Sequence, residues 1–157
     1  LGVAPRSEER VKDRIRQITR RNRGIEIEEM VGELNSFLTG WIAYFRFAKC
    51  KTLLREMDGW IRRKLRCVRL KQLKRPKTIA AFLQSHGVPL RHARMSAGSN
   101  KGWWHLSACP AVNTAMNQTW IESLGLVNIS QLYDRYQQEQ KPPDTQSTSG
   151  GVGGRGK

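Results

Sequence analysis

Residues 51–75, KTLLREMDGWIRRKLRCVRLKQLKR, place Leu54, Met57, Ile61, Leu65, Val68 and Gln72 at intervals of three and four. That is the period of a helix, so the stretch reads as one long helix with an apolar stripe on one side. Pro76 closes it, because proline disfavours helical backbone in the residue before it. From Trp60 onward the charges around the stripe have one sign. Between Trp60 and Thr78 there are nine basic side chains and no acidic one. A solvated helix face ordinarily mixes signs, since opposite charges four residues apart support a helix and like charges weaken it. A polyanion would relieve the crowding. At about 100° per residue, Arg62, Arg66 and Arg69 share one flank, and Arg63 and Lys74 lie on the outer face. Arg62, Arg66 and Arg69 lie off the apolar stripe, so neutralising these three together is expected not to lower stability.

Toward the N-terminus, Ile27, Met30, Val31, Leu34, Leu38, Trp41, Ile42 and Phe45 repeat the helical period, giving a second helix that ends near Cys50. Its first half is acidic and its second aromatic. Before it, Ser7 is placed to cap a first helix, with Glu8 and Glu9 at the positive end of the dipole. Val11, Ile15 and Ile18 form a narrow stripe amid Arg10, Lys12, Arg14, Arg16, Arg20, Arg21 and Arg23, and Gly24 is a natural stop. Three helices joined by short connections are most simply an antiparallel bundle, here over residues 7–77 with 1–6 as a linker.

Beyond Pro76 the elements shorten. Thr78 can cap a helix bearing Ile79, Phe82 and Leu83, with Gly87 as its stop. Residues 89–95 suit another turn or two, and 96–102 a loop. Pro110 suits the first position of one helix carrying Val112, Met116, Trp120 and Leu124 as far as Gly125. Asn128 can cap a last short helix with Ile129, Leu132, Tyr133 and Tyr136. The tail 141–157, KPPDTQSTSGGVGGRGK, has nothing to bury and is expected to be disordered. The expected fold is therefore all-α: a three-helix bundle, a short-helix C-terminal extension over 78–140, and a disordered tail.

The net charge of +15 on 157 residues is unevenly laid out. From Gly59 to Ile121 there is no Asp or Glu, while Glu8, Glu9, Asp13, Glu26, Glu28, Glu29, Glu33, Glu56 and Asp58 sit nearer the start. Such a field attracts phosphate backbones or anionic lipid. The best apolar run, Phe37 to Ala48 around Arg46, is too short to span a membrane, and no signal peptide opens the chain. Cys50, Cys67 and Cys109 form no CxxC pair, and His86, His92 and His105 have no zinc-site spacing, so reduced thiols of a cytoplasmic protein are expected.

Catalysis by hydrolases and polymerases needs carboxylates, metal ligands or an activated nucleophile held close together. The sequence has no Asp-Asp pair, no GxxxxGK[ST], no HExxH and no GxSxG. It reads as a binder, with no catalytic residue, metal ligand or cofactor expected. His86 reads as a helix-terminal residue and His105 as a hydrogen-bonded partner within the aromatic segment. Trp41, Phe45, Trp60 and Trp120 fall at helical spacing and read as core. Trp103 and Trp104 are adjacent and cannot both face one way. One is expected to anchor its segment, leaving the other beside Lys101 free to stack on a base.

LNSFLTGWIAYFRFAKCKTLLREMDGWIRRKLRCVRLKQLKRPKT, Leu34 to Thr78, resembles the maturase-specific segment, domain X, of group II intron-encoded reverse transcriptases. The patterns Gly40-Trp41-x-x-Tyr44-Phe45 and Trp60-Ile61-Arg62-Arg63 carry the likeness, and its flanks extend it over about Ser7 to Tyr136. The resemblance implies a helical bundle that forms a polymerase thumb, binds intron RNA, helps it fold for self-splicing and contacts the primer-template duplex. The family's fingers and palm, with their Tyr-Ala-Asp-Asp metal site, would precede Leu1, and the endonuclease of some members would follow. Neither lies in this sequence, so the chain reads as a fragment or truncated product that keeps the RNA-binding role without the polymerase activity.

That role carries over onto Arg62, Arg63, Arg66, Arg69, Lys71, Lys74, Arg75 and Lys77, and Lys101 joins them beside the tryptophans. The expected partners are group II intron RNA, a primer-template duplex, and a separate reverse transcriptase chain supplying fingers and palm. The rival readings are a basic helical DNA-binding module, a thumb subunit completed by another chain, and a remnant that does not fold stably alone.

Overall fold

Pro5 opens the first helix of the computed structural model, which describes residues 2–140. The expected tail, 141–157, lies outside the described residues. Pro5 has no N–H to leave unsatisfied and its φ is preset for the helix, so α1 (Pro5–Ile18) starts there with Ala4 at the cap. Ser7 lies inside the helix and caps nothing, which corrects the expected start. α1 ends at Thr19, before Gly24. Arg23 lies in the connection that follows. It donates to the Ile18 carbonyl at 2.8 Å and makes a two-pronged pair with Glu33 at 3.0 and 2.9 Å. The guanidinium holds the Glu33 carboxyl below its ordinary range. The stabilisation from this pair is therefore full at neutral pH and fades as pH falls through the lowered value.

α2 (Ile27–Tyr44) and α3 (Lys51–Leu73) follow the expected periods. Ile27, Met30, Val31, Leu34, Leu38 and Ile42 of α2 are buried, as are Leu54, Met57, Ile61, Leu65 and Val68 of α3. Two departures mark α3. Gln72 is exposed, donating to the Ile25 carbonyl at 3.2 Å, while Asp58, Cys67 and Leu70 are also buried. A single stripe underestimates this helix because elements from the extension cover a second side of it.

Pro76 does not merely stop α3. It opens α4 (Pro76–Ser85), with Arg75 rather than Thr78 at the cap. The break is made at Lys74, whose φ of 64° and ψ of −64° define a strained γ-turn closed by Arg75 N–H on the Leu73 carbonyl at 2.7 Å. Only glycine adopts positive φ without a Cβ penalty. Lys74→Gly is accordingly expected to stabilise the chain by about 1 kcal/mol and raise the midpoint of a thermal melt by a few degrees. A lower midpoint would refute the strain at this turn.

α5 (Leu90–Ala97), α6 (Trp103–Leu106), α7 (Pro110–Ala115), α8 (Gln118–Ser123) and α9 (Ile129–Glu139) complete the chain, and no strand occurs among the described residues. The single helix expected from Pro110 is split in two. Asn117 accepts from Trp120 N–H at 3.0 Å and caps α8, an alternative to helical bonding that Asn offers readily. Asn128 caps α9 as expected, accepting from Gln131 N–H at 3.0 Å.

The long helices do not close the core by themselves. α1 packs on α2, and α9 packs against both α2 and α3. One apolar cluster runs from Val11 to Tyr133 and takes in Ile79, Leu83, Val112, Met116, Trp120 and Ile129. The extension is thus part of the same core. Polar side chains stitch it down. Asn35 donates to the Gly125 carbonyl and accepts from Val127 N–H, both at 2.8 Å. Tyr133 Oη donates to the Ala48 carbonyl and Gln137 Nε2 to that of Arg46, both at 2.6 Å.

Candidate nucleic-acid interface

Since the span from Gly59 to Ile121 holds no carboxylate, its cations can be paired only by acids from elsewhere in the fold. They are not. The ion pairs among the described residues join Lys12 to Glu8, Arg16 to Glu9 and Asp13, Arg23 to Glu33, and Lys51 to Asp134. No basic side chain from Arg62 to Lys101 takes part in one. Lys74, Arg75, Lys77 and Lys101 are exposed, and Lys71 is half-buried at the end of α3. Among the described residues none of these groups has an ion-pair partner.

The arginines of α3 are placed differently from their sequence expectation. Arg63 leaves the outer face to join the extension: its Nε donates to Ser107 Oγ at 3.0 Å and its Nη2 to the Trp104 carbonyl at 2.6 Å. Its guanidinium lies over the Trp104 ring at 3.7 Å. Arg66 Nε donates to the Met116 carbonyl at 2.9 Å, and burial, with Arg62 and Arg63 adding, pushes its pKa down. Arg69 Nη1 donates to Gln72 at 2.9 Å while its Nε is buried with no partner. The side chain of Arg62, like that of Arg55 nearer the start of α3, has no hydrogen-bond or ion-pair partner among the described residues. The expectation that Arg62, Arg66 and Arg69 can be neutralised without structural cost is thereby corrected for Arg66.

Trp103 and Trp104 divide as their adjacency requires. Trp103 packs against the core, and Trp104 is 40% exposed. His105 is exposed and His86 ends α4, its ring stacked on Phe82 at 4.1 Å. Trp120 is buried, and Trp41, Phe45 and Trp60 are half-buried. Among the described residues no group of three His, Cys, Asp or Glu side chains could hold a metal ion. No helix is long and apolar enough to cross a membrane. Burial pushes the Cys50 thiol pKa up, away from reactivity.

Sequence reading missed three cations that the fold brings to the same side. Arg20 and Arg21 are exposed in the connection after α1, and half-buried Lys64 of α3 lies near Arg21. Arg20 and Arg21 also line a cleft of about 340 Å³ with Arg69 and Lys74, to which Glu26 and Glu28 contribute as well, so the α1–α2 connection adjoins the end of α3. The available signal was the adjacent Arg20-Arg21 pair with no acid at helical spacing.

The described residues form an all-helical module whose basic side chains from Arg62 to Lys101 make no ion pair. Residues 8–86 match the family model described as "Group II intron, maturase-specific domain", and the chain belongs to that family. The matched region runs from α1 to the end of α4, so α5 to α9 lie outside it. No curated protein was found to match the chain.

Proposed function

We propose that this chain binds folded group II intron RNA and stabilises its splicing-competent form. The observation that carries this reading is that, among the described residues, no carboxylate pairs the basic side chains from Arg62 to Lys101, on a domain of the maturase-specific family. Unpaired cations on rigid helices gain most from phosphate, because binding releases the condensed counterions. Contact is by phosphate and shape, as suits structured RNA whose deep groove excludes side chains. The chain acts as a binder in the cytoplasm and performs no polymerisation by itself.

Filter binding at fixed salt, with a group II intron RNA, an unrelated structured RNA of equal length and a DNA duplex, tests the reading. The intron RNA is expected to bind at least about tenfold more tightly than either competitor, a gap of about 1.4 kcal/mol. Equal affinity for both RNAs would reduce the role to general RNA binding. Preference for the duplex with sequence dependence would replace it with DNA recognition.

A further inference from the structure

The cations missed in the sequence surround a cleft. It measures about 280 Å³ and is lined by Arg16, Arg20, Arg21, Lys64 and Trp104, with Thr19 and Cys67 at its floor. Small-ligand pockets begin near 300 Å³, so the cleft suits one planar group and not a run of them. Its charge is unopposed. Arg16 is committed to Glu9 and Asp13, but Arg20, Arg21 and Lys64 have no ion-pair partner among the described residues. Lys64 Nζ sits 5.0 Å from the Trp60 ring centre and 6.0 Å from that of Trp104. Burial, with Arg21 close by, pushes its ammonium below the ordinary lysine range, as expected of a cation held without its anion.

Trp104 is the aromatic element, and its pose is fixed from behind. Arg63 covers the ring at 3.7 Å and bonds to the carbonyl of the same residue. Trp104 lines the cleft and Arg63 does not. A half-exposed tryptophan that shares a cleft with unpaired cations suits an unstacked base and its phosphate.

We propose that this cleft takes a single unpaired RNA nucleotide, its base against Trp104 and its flanking phosphate among Arg20, Arg21 and Lys64. The site is composite. Its cations come from the family-matched region and its ring from α6 in the extension. The inference rests on the reading of the chain as an RNA binder and adds a preference for unpaired nucleotides at one place.

The test uses two short RNA hairpins, one fully paired and one with a single bulged 2-aminopurine. The wild-type chain is expected to bind the bulged hairpin about 5- to 150-fold more tightly, the contribution of one base–aromatic stack, and to quench its 2-aminopurine fluorescence. Trp104→Ala removes both the preference and the quenching while the affinity for the paired hairpin stays the same. Trp104→Phe keeps the preference, and Arg20→Gln/Arg21→Gln weakens binding of the bulged hairpin more than that of the paired one. Should Trp104→Ala unfold, the Phe and double Gln variants carry the decision. Equal wild-type affinity for the two hairpins overturns the cleft and leaves the RNA-binding reading standing. Binding to neither hairpin nor intron RNA overturns both.

Discussion

Replacing Asp58 with Ala lowers the melting midpoint by about 10 °C, a loss of about 3 kcal/mol for a domain of this size. Asp58 lies in the middle of α3 and is 5% exposed. Its carboxylate accepts from the N–H groups of Ile129 and Ser130, both at 3.1 Å, and from Ser130 Oγ at 2.7 Å. These N–H groups belong to the first turn of α9, where the helix leaves its donors unsatisfied and its dipole favours negative charge. One side chain thus caps a helix about seventy residues away and seats Ile129 and Tyr133 in the core. Truncation strands the buried Ile129 donor and opens a hole where the carboxylate stood. Hydrogen bonds to a charged group contribute about 1.5–3 kcal/mol each, but they share one acceptor and are not additive. Asp58→Asn keeps one acceptor oxygen and is expected to lose about half as much. Amide exchange locates the effect: α9 should open first while the centres of α2 and α3 remain protected. A melt of Asp58→Ala within a degree of wild type would show that the capping bonds are absent in solution.

Asp58 also shows where the sequence stops being legible. The stripes of α1, α2 and α3 are periodic, and a period is a local signal, so their helices and buried residues follow directly from spacing. Asn128 was readable as a cap for the same reason. Asp58 is not periodic with anything. In sequence it is one more acid beside Glu56, and only the return of α9 onto α3 makes it a buried cap. Asn35, Tyr133 and Gln137 are the same case, each closing a contact across more than eighty residues. The split between α7 and α8 was missed because Val112, Met116 and Trp120 keep a helical interval across Asn117, whose side chain then prefers the Trp120 N–H. Lys74 was missed because no residue type announces a strained turn when the usual glycine is absent.

The basic face divides along the same line. Charge and the absence of acids are composition, visible without a fold, and they point to phosphate whichever way the helices pack. Which cation is free is a tertiary fact. Arg66 shares a flank with Arg62 on a helical wheel and Arg63 lies farther out, yet the extension supplies carbonyls that bind both. Arg20 and Arg21 look like solvated charges of a short connection until the fold sets them beside Lys64 and Trp104.

That division predicts two separable mutant classes. Changing Lys71, Lys74, Arg75 and Lys77 together to Gln removes cations that no carboxylate pairs, and none of the four donates a side-chain bond in the fold. Each phosphate contact contributes about −0.7 to −0.9 to the slope of log K against log salt. If three of the four reach phosphate, the slope becomes shallower by about 2–3 units. Over a tenfold range of salt the variant's disadvantage then changes by a factor of about 10²–10³. Its melting midpoint stays at the wild-type value, or rises slightly as like charges are relieved. The Arg63→Gln/Arg66→Gln pair behaves in the opposite way. It breaks charged bonds to Trp104, Ser107 and Met116, loosens the extension from α3 and costs about 2–4 kcal/mol of stability, with a slope change under about one unit. Intron RNA binding at several salt concentrations, read beside thermal melts of the same proteins, measures both classes. A salt slope unchanged in the quadruple variant would mean that the end of α3 faces only solvent. The RNA contact would then lie at the remaining cations, Arg62, Lys101 or those of the connection after α1.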